Sequence, residues 1–152
     1  MTGGAQGVAA LEALVKPFVY RRYNDYAAIE EMRDLHGQIR ADATKRNRLD
    51  DIKVGVGGIR EVEFVAQLFQ LIRGGRETGL QTRSTREALA KVATMNILPV
   101  ARVAELQSAY RFLRNLEHRL QYLDDQQTQV LPAGETDRQR IAEAMGFDDW
   151  QP

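Results

Sequence analysis

The chain has 152 residues, with 21 basic and 21 acidic side chains, two histidines and no cysteine. This length supports one domain with a buried core, and 43% apolar with 28% charged residues is typical of a globular protein. A net charge of zero argues against nucleic-acid or anionic-membrane binding by bulk electrostatics. Without cysteine there is no disulfide or thiolate site, and the two separated histidines predict no histidine metal site.

The start of the chain resembles no targeting signal. Residues 1–7 (MTGGAQG) lack the basic region and apolar core of a signal peptide, so they predict a flexible lead-in or a cloning remnant. No window reaches the roughly eighteen uninterrupted apolar residues of a membrane span. We therefore expect a cytoplasmic protein with no membrane association.

Apolar residues recur every three or four positions along most of the chain, which is the period of amphipathic helices. The capping and stop signals of these segments set their predicted ends. In chain order, the predicted helices are Val8–Lys16 before Pro17, the segment from an N-cap at Asn24 to the polar run at 44–48, Ile59–Ile72, the segment from the capping box of Ser84 and Glu87 to Met95, about Val100 to about Asp125, and a last helix from a cap at Thr136 or Asp137 to Gly146.

One segment departs from this helical pattern. Ile52, Val54 and Val56 alternate with polar or small residues, which predicts a short strand, and Gly57 and Gly58 then turn the chain. The predicted fold class is all-α, a helical bundle with one short extended segment near residues 52–56.

Glycines before a helix can bind phosphate through free N–H groups, so the turn at Gly55–Gly58 is a possible anion site. It fails the dinucleotide fingerprint, however, because Arg60 stands in place of the third glycine. It also lacks the Gly-Lys-Ser/Thr ending of a P-loop. A tight turn without a ligand is the simpler interpretation.

Four charged residues accompany this turn: Lys53, Arg60, Glu61 and Glu63. On a helix, Glu61 and Glu63 lie about 200° apart, so we do not expect them to share a metal ion. Charges in so apolar a helix need partners, and Arg60 is a candidate to bind a phosphate or carboxylate of a partner domain. These residues by themselves favour a structural or interaction module over an enzyme.

Other polar clusters predict no site. Tyr20–Tyr23 mixes aromatic and basic groups, as single-strand nucleic-acid binders do, but the neutral chain favours a packed helix junction. His36 and His118 lack a histidine partner, and the acidic pairs at 124–125 and 148–149 are typical of solvated helix ends.

Several long stretches together resemble a known family. The hallmark is Asp51–Phe64 (DIKVGVGGIREVEF), continued by Val65–Gly75, with Pro17–Tyr23 upstream and Ala109–Gln121 and Asp125–Pro132 downstream. They are similar to the bifunctional glutamine synthetase adenylyltransferase/adenylyl-removing enzyme, and the resemblance covers nearly the whole chain after about residue 8.

The resemblance implies a large cytoplasmic enzyme with two nucleotidyltransferase halves. One half transfers AMP from ATP to a tyrosine of glutamine synthetase, and the other removes it by phosphorolysis, releasing ADP, under the control of PII signalling protein and glutamine. The intact GGIREVEF and QTQVLP stretches resemble the N-terminal, deadenylylating half. Mg²⁺ and ATP or ADP act in the full-length enzyme, and we expect none of them on this fragment.

The resemblance places the catalytic motifs upstream of residue 1. The chain contains neither the Gly-Ser dipeptide nor the Asp-x-Asp pair that hold phosphate and magnesium in this superfamily. Residues 8–57 resemble the trailing edge of a nucleotidyltransferase domain, and residues 58–152 resemble the helical domain of the adenylyltransferase/uridylyltransferase type. We therefore expect a support or docking domain that is inactive alone, without a catalytic residue or a metal site.

In that interpretation, Lys53, Arg60, Glu61 and Glu63 face or buttress the missing catalytic cleft, and an ion-paired core that only positions the helical domain is the competing possibility. Two other functions stay open. The chain could be the corresponding helical domain of PII uridylyltransferase, or purely an interaction module that docks glutamine synthetase or PII.

Overall fold

The computed structural model describes residues 3–20, 26–45, 50–124 and 128–150. Within these ranges there are six α helices, one short 3-10 helix at Thr78–Leu80 and no strand, which confirms the all-α prediction. None of the described helices has the length and apolar composition needed to cross a bilayer. The helices are α1 (Gly3–Val19), α2 (Tyr26–Lys45), α3 (Ile59–Arg73), α4 (Thr85–Thr94), α5 (Val100–Asp124) and α6 (Glu135–Met145).

Helix α1 extends beyond its predicted bounds at both ends. It begins at Gly3, inside the segment 1–7 that the sequence predicts as a flexible lead-in or a cloning remnant. It also continues through Pro17 to Val19, although the sequence predicts an end at Pro17. A proline so close to the end of a helix removes one hydrogen bond, and the Tyr20 N–H still donates to the Lys16 carbonyl at 2.9 Å.

The extended segment predicted near residues 52–56 is wrong, because these residues form a compact turn. The Asp51 carboxylate accepts hydrogen bonds from the backbone N–H groups of Lys53 (2.9 Å) and Val54 (3.1 Å), which bends the chain at once. Among the described residues, the only isolated β-bridge joins Asp51 to Val130 in antiparallel orientation. The aspartate at the start of the segment, rather than the alternation of apolar residues, determines the local conformation.

The end of this turn requires glycine. Gly57 has a φ of 76°, in the left-handed region, and a Cβ on Gly58 would lie 2.7 Å from the carbonyl oxygen of Ile52 and 2.9 Å from that of Gly55. This close approach lets the Ile59 N–H donate to the Ile52 carbonyl at 2.9 Å, at the first residue of α3. The turn therefore leads directly into the helix that carries three of the four candidate residues.

The signals at the last helix are only partly correct. Helix α6 begins at Glu135 with Gly134 at the N-cap and no side-chain cap, so the predicted caps at Thr136 or Asp137 are wrong. Gly146 ends the helix with a φ of 85°, as predicted. The predicted N-cap at Asn24, most of the Tyr20–Tyr23 stretch, most of the polar run at 44–48, and residues 125–127 lie outside the described residues.

The chain forms two compact units, which we call the first unit (Met1–Met32 with Val65–Val103) and the second unit (Arg33–Phe64 with Ala104–Pro152). In the first unit, the buried side chains include Ala66, Leu80, Ala88, Leu89, Val92 and Val103. In the second unit, the buried cluster is Ile52, Leu116, Leu120 and Ile141, against which Leu113, Leu123, Leu131, Met145 and Trp150 pack. All four candidate residues belong to the second unit.

Candidate functional site

The start of α3 uses its own N–H groups within the chain. The N–H groups of residues 59, 60 and 61 donate to the carbonyls of Ile52 (2.9 Å), Lys53 (3.0 Å) and Gly58 (3.1 Å). A phosphate at a helix N-terminus needs such groups to be free. The glycine turn therefore lacks the free donors of a phosphate cradle at these three residues.

Glu61 joins the turn to helix α2. Its Oε2 accepts a hydrogen bond from the Gly57 N–H at 3.1 Å. Its Oε1 is buried and lies 3.2 Å from the Nε of Arg40 on α2, an ionic contact without hydrogen-bond alignment. Both oxygens of this carboxylate are thus directed at groups of the chain itself.

Glu63 points toward a different helix. Its Oε1 accepts a hydrogen bond from the hydroxyl group of Tyr110 on α5 at 3.1 Å. Glu61 and Glu63 therefore have partners on α2 and α5, as their helical spacing predicts.

The described residues do not fit a metal ion, since they contain no group of three or more His, Asp or Glu side chains placed to hold one. His36 packs its ring on Phe64 instead, with ring centroids 4.2 Å apart and planes inclined by 28°. The His36 ring is therefore engaged in an aromatic contact within the chain.

Lys53 is paired with a residue that sequence reasoning missed. Its Nζ lies 3.6 Å from Oε1 of Glu117, a carboxylate residue on α5 that is only 4% exposed. The Nη1 of Arg114 lies 2.7 Å from the other oxygen of Glu117. The signal was present in the sequence, because Glu117 falls on the apolar stripe between Leu113 and Leu120.

Arg60 differs from the other three candidates. Its side chain is exposed, and within the described residues its guanidinium makes no hydrogen bond or ion pair. A cavity of about 280 Å³ opens beside it, lined on the α2 side by Leu35, Gln38, Ile39, Asp42 and Ala43 and on the turn side by Val54. In the described part of the chain, Arg60 is thus the one unpaired candidate, whereas Lys53, Glu61 and Glu63 each have a partner within the chain.

A second hollow, of about 320 Å³, contains none of the candidate residues. Its lining includes Phe112, Phe147 and Trp150, and the two phenylalanine rings meet edge to face with centroids 6.2 Å apart. The buried side chains of Leu116 and Ile141 also line it, so it adjoins the core of the second unit.

Comparison with known proteins identifies the family of this chain. The family model described as GlnD PII-uridylyltransferase matches residues 26–152. A curated protein of Chromobacterium violaceum, named bifunctional glutamine synthetase adenylyltransferase/adenylyl-removing enzyme, is 59% identical over 150 residues, which are 99% of this chain and 16% of that protein. Proteins of the same name from Neisseria meningitidis serogroup A and Pseudomonas putida are 55% and 48% identical, over 92% and 99% of this chain.

The chain spans about 16% of the length of these curated relatives. Their shared name confirms the similarity to glutamine synthetase adenylyltransferases that the hallmark segment and its neighbouring stretches predict. The matched family model begins at residue 26 and includes the turn and α3, which carry all four candidate residues, and also α5, which carries Glu117. The family model covers residues 26–152, which are most of the chain. The chain therefore belongs to the GlnD PII-uridylyltransferase family.

Proposed function

We propose that this chain supports the deadenylylating catalytic centre of a bifunctional glutamine synthetase adenylyltransferase/adenylyl-removing enzyme. In the full-length protein, AMP is transferred from ATP to a tyrosine of glutamine synthetase and is removed again by phosphorolysis. Relatives that are 48–59% identical and carry this name support the assignment. Residues 8–57 form the trailing edge of the nucleotidyltransferase domain, and residues 58–152 form its helical neighbour.

The support role is inferred from the internal pairing of three of the four candidate charges. Lys53 pairs with Glu117, Glu61 with Arg40 and Glu63 with Tyr110. Charges held in this way fix the turn and α3 against α2 and α5, and breaking one pair leaves its partner uncompensated. Such residues buttress a neighbouring active site and do not take part in its chemistry.

Mg²⁺ and ATP or ADP would bind in parts of the enzyme outside this chain. The described residues offer no carboxylate cluster for a metal ion. Glutamine synthetase and PII are the protein partners, in the cytoplasm, and the zero net charge favours neither nucleic acid nor an anionic membrane as a partner.

One observation favours a second function. The matching family model carries the description GlnD PII-uridylyltransferase, so the acceptor of the nucleotide could be PII and not glutamine synthetase. The full-length protein distinguishes the two when it is offered each acceptor with labelled ATP or labelled UTP. We expect label from ATP on glutamine synthetase, whereas label from UTP on PII would establish the uridylyltransferase.

The place of Arg60 relative to the catalytic cleft is tested by deadenylylation in the full-length protein, measured as ADP released from adenylylated glutamine synthetase and phosphate. We expect Arg60→Ala to lower this rate if its guanidinium reaches the catalytic cleft, and Arg76→Ala, at another exposed arginine, to leave it unchanged. An unchanged rate in Arg60→Ala would remove Arg60 from the cleft. Calorimetry on the 152-residue chain should show no nucleotide binding, and micromolar affinity for ATP or ADP would contradict a pure support.

A further inference from the structure

One side of the C-terminal part of α5 is basic and uncovered. Between Leu106 and Leu123 this helix contains three arginines, one histidine and a single acidic residue, Glu117. Glu117 is buried and contacts Lys53 and Arg114, so its charge is used inside the second unit. In this described range, the exposed side of α5 therefore carries no carboxylate, although the whole chain has a net charge of zero.

Five exposed side chains form this side of the helix, which we call the basic face of α5. They are Arg111, Asn115, His118, Arg119 and Tyr122. Residues three, four or seven positions apart lie on one side of a helix, and these five keep that spacing. Arg111, Asn115 and Arg119 form a ridge at intervals of four residues. Tyr122, which is 83% exposed, continues the face toward the end of the helix.

The two arginines of the basic face have no counter-charge within the described residues. The side chains of Arg111 and Arg119 make no hydrogen bond or ion pair there. By contrast, the exposed Arg140 of α6 lies 3.2 Å from the Asp137 carboxylate. Exposed cations without local carboxylates attract an anionic partner, because complementary charges guide association and determine register.

The spacing of the two arginines indicates an elongated partner. Arg111 and Arg119 are eight helical positions apart, which is about 12 Å along the axis. A second helix has the same rise per residue, so two of its carboxylates eight positions apart can meet both arginines. Nucleic acid is disfavoured, because two arginines neutralise few phosphates and the chain carries 21 acidic side chains.

We propose that the basic face of α5 binds an acidic helix of a partner protein. Two carboxylates of that helix, eight positions apart, pair with Arg111 and Arg119, and an apolar side chain of the same helix covers the ring of Tyr122. This surface goes beyond the proposed function, because its binding needs no transfer of AMP, and either can fail without the other.

The test is a titration of the ¹⁵N-labelled 152-residue chain with synthetic peptides, followed by amide chemical shifts. The glutamate peptide is an alanine-rich helix of about eighteen residues, with two glutamates eight positions apart and a leucine three positions outside each. We expect saturable shifts centred on the amides of Arg111, Asn115, Arg119 and Tyr122. The same peptide with glutamines in place of the glutamates should bind about fivefold more weakly, the effect of two exposed ion pairs.

Three results would overturn the proposal. They are the absence of saturable shifts at these amides, equal binding of the glutamine peptide, and tighter binding of an oligothymidylate of about twenty nucleotides. The last result would assign the basic face to nucleic acid.

Charge variants locate the surface. Arg111→Gln/Arg119→Gln should weaken binding of the glutamate peptide about fivefold. The matched control is Arg73→Gln/Arg76→Gln, which removes two exposed arginines of the first unit and should leave the affinity unchanged. Arg111→Glu/Arg119→Glu should prefer a peptide with lysines in place of the glutamates, because the pairs re-form with reversed charge. A thermal unfolding curve checks that each variant is folded. Unchanged affinity in folded Arg111→Gln/Arg119→Gln, or no preference of the charge-reversed variant for the lysine peptide, would refute the assignment.

Discussion

At the scale of single residues, Glu117 is the least exposed charged side chain among the described residues. Its two carboxylate oxygens have different partners, Lys53 from the turn after Asp51 and Arg114 one helical turn earlier on α5. A buried charge is tolerated only when such partners replace the water it has lost. Glu117 therefore fixes the position of the turn relative to α5, through the longer contact of 3.6 Å to Lys53.

We expect Glu117→Gln to lower the free energy of unfolding by about 2 kcal/mol, because it leaves Lys53 and Arg114 without their counter-charge. Both cations retain access to water, which keeps the loss below that of a fully buried pair. Lys53→Met should cost less, since Glu117 keeps its contact of 2.7 Å with Arg114. Urea unfolding measures both, with Glu77→Gln as an exposed control. A Glu117→Gln midpoint equal to that of the parent chain would contradict this role.

The need for pairing could be predicted from the sequence, but the partners could not. Charges embedded in the apolar α3 segment required counter-groups, and the structure supplies them to Glu61 and Glu63. Arg40 and Tyr110 lie on helices remote in sequence, and spacing along one helix carries no information about which of them approaches. Only the burial of Glu117 could be predicted from the local sequence, because this residue lies on the apolar stripe of α5.

At the scale of elements, the capping box predicted at the start of α4 is only half formed. The Ser84 hydroxyl accepts a hydrogen bond from the Glu87 N–H at 3.3 Å, as in the motif. The Glu87 carboxylate, however, accepts from the Thr82 hydroxyl at 2.6 Å, and the Ser84 N–H donates to Thr82 at 3.1 Å. The Thr82 hydroxyl group therefore links the Ser84 N–H to the Glu87 carboxylate, in place of the direct hydrogen bond of a complete capping box.

The other end of α4 carries a signal that the sequence interpretation did not use. Asn96 has a φ of 52°, and its N–H and that of Ile97 donate to the carbonyls of Ala93 (3.0 Å) and Val92 (3.0 Å). This pair of bonds is the Schellman arrangement, in which the residue after the helix adopts the left-handed conformation. Asparagine is the commonest substitute for glycine at that position.

We expect Asn96→Gly to raise the free energy of unfolding by about 0.5 kcal/mol and Asn96→Ala to lower it by about 1 kcal/mol, because only glycine adopts this φ without strain. Asn115→Gly is the matched control, since Asn115 is an exposed residue within α5, where glycine weakens a helix. Chemical denaturation of the three variants gives the order. Stabilisation by alanine at position 96 would show that the left-handed geometry is not retained in solution.

Helices were predictable as elements because their apolar period persists over many residues, as along α3 and α5. The strand predicted near residues 52–56 is absent because an alternation of apolar residues over only five positions is a weak signal. The Asp51 carboxylate outweighs it by accepting two backbone hydrogen bonds that stabilise a turn. The helix end predicted at Pro17 is wrong for a related reason. The effect of a proline on a helix depends on how many hydrogen bonds follow it, and α1 ends two residues later at Val19.

At the scale of the whole molecule, α1 exposes the most continuous apolar surface among the described helices. Leu14 is 77% exposed and Phe18 69% exposed, and Glu12 of the same helix forms an ion pair with Arg83. Exposed apolar patches of this kind mark interaction surfaces or sites of association.

We therefore expect the 152-residue chain to self-associate at high concentration through α1. Sedimentation equilibrium should show a concentration-dependent mass that returns to that of the monomer in the double variant Leu14→Lys/Phe18→Lys. The melting temperature should not fall, because neither side chain contributes to a buried core. Tyr122→Lys is the control, since Tyr122 is 83% exposed on α5 and stands outside α1. A monomeric parent chain would show that α1 is already covered in solution, and a lower melting temperature in the double variant would show that α1 is part of the folded core.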